Sequence, residues 1–296
     1  MISYNQPKLC PNASWNANAI TFANVSLVGL EPFGIFISIS NTIYVTATNR
    51  NIVVVWNSGN NIPIRNISGS FITPNGLFVT LAGDVYIDNG NNHQMYQWSD
   101  SGPMNITNMY INNSCYGVFM DINNALYCSM QHSHMVIKIS FNDSSTNSTI
   151  VAGTGYMNST ADALAYPQGI FVDINLNLYV ADCGNNRIQR FTCGQRSATT
   201  VAQSGIGGIP NLVCPTAIVL DADNYLYIVD NNNHRIIRSA NNVLQCILGC
   251  FGNGSQPNQL TYPTSLSFDS FSNLFVVDKD NNRIQKFLFQ SNSCRK

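Results

Sequence analysis

Four histidines, one glutamate and nine cysteines are the side chains of this 296-residue chain best suited to metal ligation, proton transfer or nucleophilic attack. A zinc site needs three or four protein ligands. His132 and His134 are close enough in sequence to share an ion, and together they supply two. His93, His134 and His234 each stand seven residues past a recurring aromatic, in a slot that other copies of the pattern fill with Asn51, Asn186 and Asn282. Exchange between His and Asn in a hairpin loop points to turn hydrogen bonding, so neither a metal nor a cofactor is expected. Nucleophile signatures are missing too: the sequence has no G-x-S-x-G elbow and no C-x2-C pair. Gly205-Ile-Gly-Gly208 is followed by neither a helical pattern nor a lysine, which makes it a connection and not a phosphate loop.

Composition narrows the partners. Charged residues make up 10% of the chain, net charge is −1, and there are 42 asparagines against the single glutamate Glu31. A nearly uncharged chain lacks the basic field that nucleic-acid binding requires, so nucleic acid is not an expected partner. No apolar run reaches the length of a membrane span, and no membrane insertion is expected. Met1 is followed by the polar stretch Ile-Ser-Tyr-Asn-Gln in place of a signal-peptide core, so the natural start is expected upstream. Cysteines at 10, 115, 128, 183, 193, 214, 246, 250 and 294 suit an oxidising compartment, and the expected location is extracellular or secreted. Glycosylation sequons begin at Asn12, Asn24, Asn66, Asn105, Asn112, Asn142, Asn147, Asn158 and Asn253.

The elements that must position these residues come from an internal repeat. A Pro or Cys, a small residue two positions on, an apolar run, a turn and an aromatic among β-formers recur six times. The copies run from Pro32, Pro74, Cys115, Pro167, Pro215 and Pro263 to Tyr44, Tyr86, Tyr127, Tyr179, Tyr227 and Phe275. The aromatics are spaced by 42, 41, 52, 48 and 48 residues, one four-stranded blade per period. Short Val, Ile, Phe and Tyr runs separated by Asn, Asp and Gly clusters, with no sustained helical periodicity, read as all-β. The expected fold is a six-bladed β-propeller with four-stranded antiparallel blades. Residues 1–18 form a lead-in and 19–296 one domain, a monomer, with blades near 31–67, 73–111, 115–153, 166–203, 214–249 and 262–289. Blade six lacks an outer strand, and residues 19–24 complete it, pairing two edges that would otherwise be exposed.

The last three copies read Val-Ala-Asp182-Cys-Gly-Asn-Asn-Arg187-Ile-Gln, Ile-Val-Asp230-Asn-Asn-Asn-His-Arg235-Ile-Ile and Val-Val-Asp278-Lys-Asp-Asn-Asn-Arg283-Ile-Gln. These resemble NHL repeats, sharply in the last three blades and loosely in the first three, and the resemblance implies a six-bladed propeller. One branch of NHL-type propellers comprises zinc-dependent amidating lyases. Lactonase-type six-bladed propellers hold a divalent metal with a Glu, an Asn and an Asp at the channel mouth. Glu31 and Asn75 match part of that set, no Asp fills the corresponding rim slot elsewhere, and the oxygen cage stays incomplete.

Three and eight residues past the aromatics the repeats carry Ala47 with Ile52, Asn89 with Gln94 and Met130 with Met135. The later copies carry Asp182 with Arg187, Asp230 with Arg235 and Asp278 with Arg283. Acid and base appear together or not at all, so the two slots are expected to touch as structural pairs. Around the channel the small residues Gly34, Gly76, Gly117, Gly169, Ala217 and Ser265 are preceded by Phe33, Asn75, Tyr116, Gln168, Thr216 and Thr264. This uncharged rim either holds a neutral peptide or glycan or packs blade against blade. Asn49, Arg50, Asn91, Met130, Gln131 and His132 mark where the first three blades depart from the repeat, through a specific surface or through relaxed constraint. Expected disulfides are Cys10 with Cys294, Cys115 with Cys128, Cys183 with Cys214 and Cys246 with Cys250, leaving Cys193 free. The function these features favour is a non-catalytic extracellular scaffold that binds protein or carbohydrate through its loop face. The alternative is a metal-dependent lyase or hydrolase.

Overall fold

A computed structural model describes residues 2–90, 93–99, 107–110, 113–141, 148–203, 211–240 and 243–294. It contains six four-stranded antiparallel sheets arranged as the blades of a propeller. Blade one consists of Ile35–Ile37, Ile43–Ala47, Ile52–Trp56 and Arg65–Ser68, called strands A to D from the channel outward. Strands A of blades two to five are Leu77–Val79, Gly117–Met120, Pro167–Val172 and Pro215–Leu220. Blade six takes Pro263–Phe268, Leu274–Asp278 and Arg283–Phe287 from the end of the chain and Ile20–Ala23 from the beginning. Its outer strand pairs Ile20 with Lys286 and Ala23 with Ile284, so the ring closes through the N-terminal strand.

Antiparallel order sorts the connections onto two faces. The B–C hairpins and D–A connections share one face, called upper here, and the A–B and C–D turns share the other. At the lower face a carboxylate organises each A–B turn of the last four blades. Asp121, Asp173, Asp221 and Asp269 accept backbone N–H groups two and four residues on, as in Asx-turns. Ser38 and Thr80 take the same place in blades one and two.

The stretch set apart as a lead-in is threaded across the lower face. Asn5 donates to the carbonyls of Ser38 and Phe268 at 2.8 and 3.1 Å. Leu9, Ala13 and Trp15 are buried beneath blades five and six, where Trp15 meets the rings of Tyr227, Phe268 and Phe289. Arg238, 2% exposed, donates to the carbonyls of Pro11 and Cys10 and lies over the Tyr225 ring at 4.5 Å. The Cys10–Cys294 disulfide then ties this segment to the end of the chain.

Candidate functional site

The upper face is built on one local device. The B–C hairpins of blades one and three to six turn through three residues, and all six hairpins end on a residue in the left-handed region: Asn51, His93, His134, Asn186, His234 and Asn282 have φ between 51° and 56°. Asn and His tolerate that region better than most residues. Asn51, Asn186 and Asn282 each accept, through Oδ1, the backbone N–H of the residue that opens the next blade: Thr73, Cys214 and Glu31. His134 and His234 do the same through Nδ1, from Tyr166 at 3.2 Å and Tyr262 at 3.0 Å. Imidazole Nδ1 thus stands in for amide oxygen, and that role fixes the neutral tautomer with hydrogen on Nε2. Burial lowers the pKa of His234, which favours the same neutral form.

The three Asp/Arg pairs sit one step deeper. Nε of Arg187, Arg235 and Arg283 donates to Asp182, Asp230 and Asp278 at 2.7, 2.8 and 2.7 Å, with all three carboxylates buried. The other carboxylate oxygen accepts a backbone N–H of the D–A connection, from Ala165, Val213 or Thr261. The arginines reach back to carbonyls of the same connection, for example Arg283 to Ser255, Gln256 and Gln259. Burial raises the pKa of Asp182 and Asp278 while backbone donors and arginines lower it. In blade two, Asn89 occupies the aspartate's place: its Oδ1 accepts from Ile72 N–H and its Nδ2 donates to the Ser70 carbonyl. The amide keeps the backbone contact and needs no cation.

Blades one to three use another set of staples, two residues past the aromatic, which the sequence reading did not single out. Thr46 donates to the Asn75 carbonyl at 2.9 Å and Ser129 to the Gln168 carbonyl, each reaching the next blade. Asp88, fully buried, accepts from Cys115 N–H at 2.7 Å, Gly90 N–H at 2.9 Å and Asn75 Nδ2 at 3.3 Å. Burial pushes its carboxyl up to about 7 against these three donors. The same slot holds Ala181, Val229 and Val277 in blades four to six, so polar against apolar at this slot is the signal that separates the halves.

At the mouth, Phe33 and Tyr116 meet edge to face across blades one to three, ring centres 5.8 Å apart. Tyr116 continues to His132 at 6.1 Å, His132 to Tyr166 at 6.4 Å, and Tyr166 to His134 at 4.8 Å. Five rings thus cross the upper face as one track, with His132 and Tyr166 exposed. Over blades four to six the mouth opens into a bowl of about 300 Å³ lined by Gln168, Thr216, Asn231, Tyr262 and Thr264, with Phe33 and Tyr116 on its near side. Lys279 and Asp280 stand at its edge, Lys279 reaching both Asp280 at 4.0 Å and Glu31 at 3.7 Å, so one ammonium is shared by two carboxylates there.

Beneath the bowl lies a cavity of about 110 Å³, which shares Phe33, Tyr116, Thr216 and Thr264 with it. Its wall is a layer of phenyl rings, Phe36 to Phe78 to Phe119 to Phe171, with centres 5.1, 5.0 and 4.9 Å apart. Blades five and six put Val219 and Ser267 at that register. Tyr4 closes the channel from the lower side, its ring 5.3 Å from Phe171 and 5.4 Å from Phe119.

The other expected residues are dispersed. Thr216 and Thr264 donate to the carbonyls of Pro263 and Phe33 on the next blade, so two rim hydroxyls serve the seams. Gln168 Nε2 lies 3.8 Å from Cys214 Sγ. Asn49 is exposed and Gln131 half-buried in their hairpin turns. Arg50 donates to the Leu27 carbonyl at 2.7 Å, beside the single helical turn Val25–Val28. Asn91 lies outside the described residues, as do the sequons at Asn105, Asn112, Asn142 and Asn147 and the Gly205–Gly208 stretch. Disulfides join Cys10 to Cys294, Cys115 to Cys128, Cys183 to Cys214 and Cys246 to Cys250, and Cys193 is free and exposed. Among the described residues no three His, Cys, Asp or Glu side chains converge as metal ligands. No helix there is long and apolar enough to cross a membrane.

Known proteins resemble the chain in fold more than in sequence. No curated protein sequence matches it. An auxiliary nutrient binding protein from Bacteroides thetaiotaomicron is 16% identical with a TM-score of 0.69, the match covering 98% of this chain and 76% of that one. A gluconolactonase from Xanthomonas campestris is 12% identical with a TM-score of 0.67, covering 98% and 99%. A catalytically inactive virginiamycin B lyase from Staphylococcus aureus, crystallised with quinupristin, is 15% identical with a TM-score of 0.64, covering 90% and 97%. At these identities the likeness is one of fold, and the fold hosts binding proteins and enzymes alike. The NHL repeat model matches residues 164–191, the inner three strands of blade four. The chain is a six-bladed β-propeller carrying an NHL repeat.

Proposed function

We propose that the protein is a non-catalytic extracellular binding module whose upper face recognises an uncharged segment of protein or carbohydrate. The observation that carries this reading is the five-ring track from Phe33 to His134 beside a bowl lined by amides, hydroxyls and Tyr262. Aromatic faces bind the apolar side of a sugar or a peptide edge, and amide and hydroxyl groups fix its orientation. The four disulfides support a secreted setting.

Enzymes share this fold, and a metal-dependent lyase or hydrolase would need three convergent ligands. Here Glu31 is engaged at the seam with Lys279, Asp88 is buried behind Asn75, and two of the histidines serve as backbone acceptors. The test is binding of the purified protein to an array of neutral oligosaccharides and peptides at low and high salt, with elemental analysis of the same preparation. Binding to neutral probes, little changed by salt, is the expected result. Stoichiometric zinc or calcium together with turnover of a lactone or amide probe would replace this reading with the enzymatic one.

A further inference from the structure

We propose that the channel cavity is a socket for one apolar side chain, of leucine to phenylalanine size, presented by a peptide partner. The inference rests on the reading of the upper face as the binding face and decides between its two ligand classes.

Three observations carry it. The inner strands place Phe36, Phe78, Phe119 and Phe171 at one level of the channel, whereas Val219 and Ser267 stand at the same register of blades five and six. Two rings are thus missing from the layer, and the cavity of about 110 Å³ is lined there by Val219, Leu266 and Ser267. Second, the bowl opens on the side of those two blades and joins the cavity through Phe33, Tyr116, Thr216 and Thr264. Third, Tyr4 and Asn5 close the opposite end, so the socket has a floor. Asn5 is already bonded to three carbonyls, and the Ser265 hydroxyl receives the Ile35 N–H. A sugar ring carried below the rim would exchange water for a wall of phenyl rings, Val219 and Leu266, leaving most of its hydroxyls without partners. An aliphatic or phenyl group incurs no such cost, and apolar cavities of roughly 150 Å³ take up benzene. The peptide groups flanking the buried side chain would face the Gln168 amide and Tyr262 in the bowl.

The experiment titrates N-acetyl-leucinamide, N-acetyl-phenylalaninamide and N-acetylglucosamine into wild type and into Ser267→Phe, which installs the residue that blades one to four carry at that register. NMR signals of the Val219 and Leu266 methyl groups report occupancy of the socket. The proposal expects at least one amide to shift those methyls saturably, with affinity at least tenfold weaker in Ser267→Phe at unchanged melting temperature. Ser267→Leu, a smaller filling, serves where the phenylalanine variant does not fold. Methyls unmoved by both amides, or equal affinity in wild type and the filled variant, would overturn it. Binding of N-acetylglucosamine at the rim, with the methyls unmoved by both amides, would overturn the socket and leave the upper-face reading standing. That reading falls on its own evidence, if the array shows no binding to neutral probes.

Discussion

The residues that attract a chemical reading serve here as joints. His134 and His234 do what asparagine does in three other blades, accepting the N–H that opens the next blade. Protonation at Nδ1 removes the acceptor. Because burial holds the His234 pKa below its ordinary value, the unfolded chain takes up its proton first as pH falls, and stability drops below about pH 6.5. The variant His234→Asn should keep the joint and flatten this acid limb, read as melting temperature from pH 5 to 8. A limb equally steep in the variant would count against the joint. Asp88 carries the opposite slope. Its carboxyl, raised to about 7, binds a proton in the folded state that the unfolded state releases near pH 4, so its contribution to stability falls as pH rises from about 4 to 7. Asp88→Asn should remove that slope, and a pH dependence unchanged in this variant would show that the carboxyl titrates normally. For the ion pairs, Arg283→Gln alone leaves Asp278 buried and unpaired and should cost about 3–5 kcal/mol. Adding Asp278→Asn reproduces blade two and should recover a large part of that loss in a double-mutant cycle, whereas simple additivity would deny the coupling.

At the scale of elements, sequence and structure agree wherever a repeat slot has one job. The six copies gave the blade period, the hairpin slot gave the His and Asn equivalence, and the paired switching of acid and base marked two positions in contact. The lead-in resisted that logic because it occurs once: nothing within the repeat shows that Tyr4 belongs to a ring layer drawn from blades two to four. Tyr4, Leu9 and Trp15 in a polar stretch were the available signal. The aromatic track was half legible, since Phe33 and Tyr116 belong to the rim pattern and His132 to the hairpin, while Tyr166 precedes a strand and draws no attention by spacing. Tyr4→Ala should open the channel from below and cost roughly 2–3 kcal/mol, less than truncating a fully buried aromatic because Tyr4 is half-buried. A melting temperature unchanged in that variant would mean that the segment does not occupy the channel.

For the whole molecule the ring must be closed, and two devices do it: the antiparallel pairing of Ile20–Ala23 with Arg283–Phe287 and the Cys10–Cys294 disulfide. Replacing both cysteines by serine should lower stability by roughly 2–4 kcal/mol, and an unchanged unfolding midpoint would remove the clasp from the account. Closure leaves the upper face open and a lower face occupied by the N-terminal segment, and this asymmetry supports the proposed recognition on the upper side. The measurement that tests this placement most directly is array binding by three proteins: wild type, the upper-face double variant Tyr116→Ala/Tyr166→Ala, and the lower-face variant Phe271→Ser, whose ring is 69% exposed in the wild type. The double variant should lose at least tenfold in affinity for the neutral probes that wild type binds, while Phe271→Ser binds them unchanged. Loss confined to Phe271→Ser, with the upper-face variant binding as wild type, would contradict it.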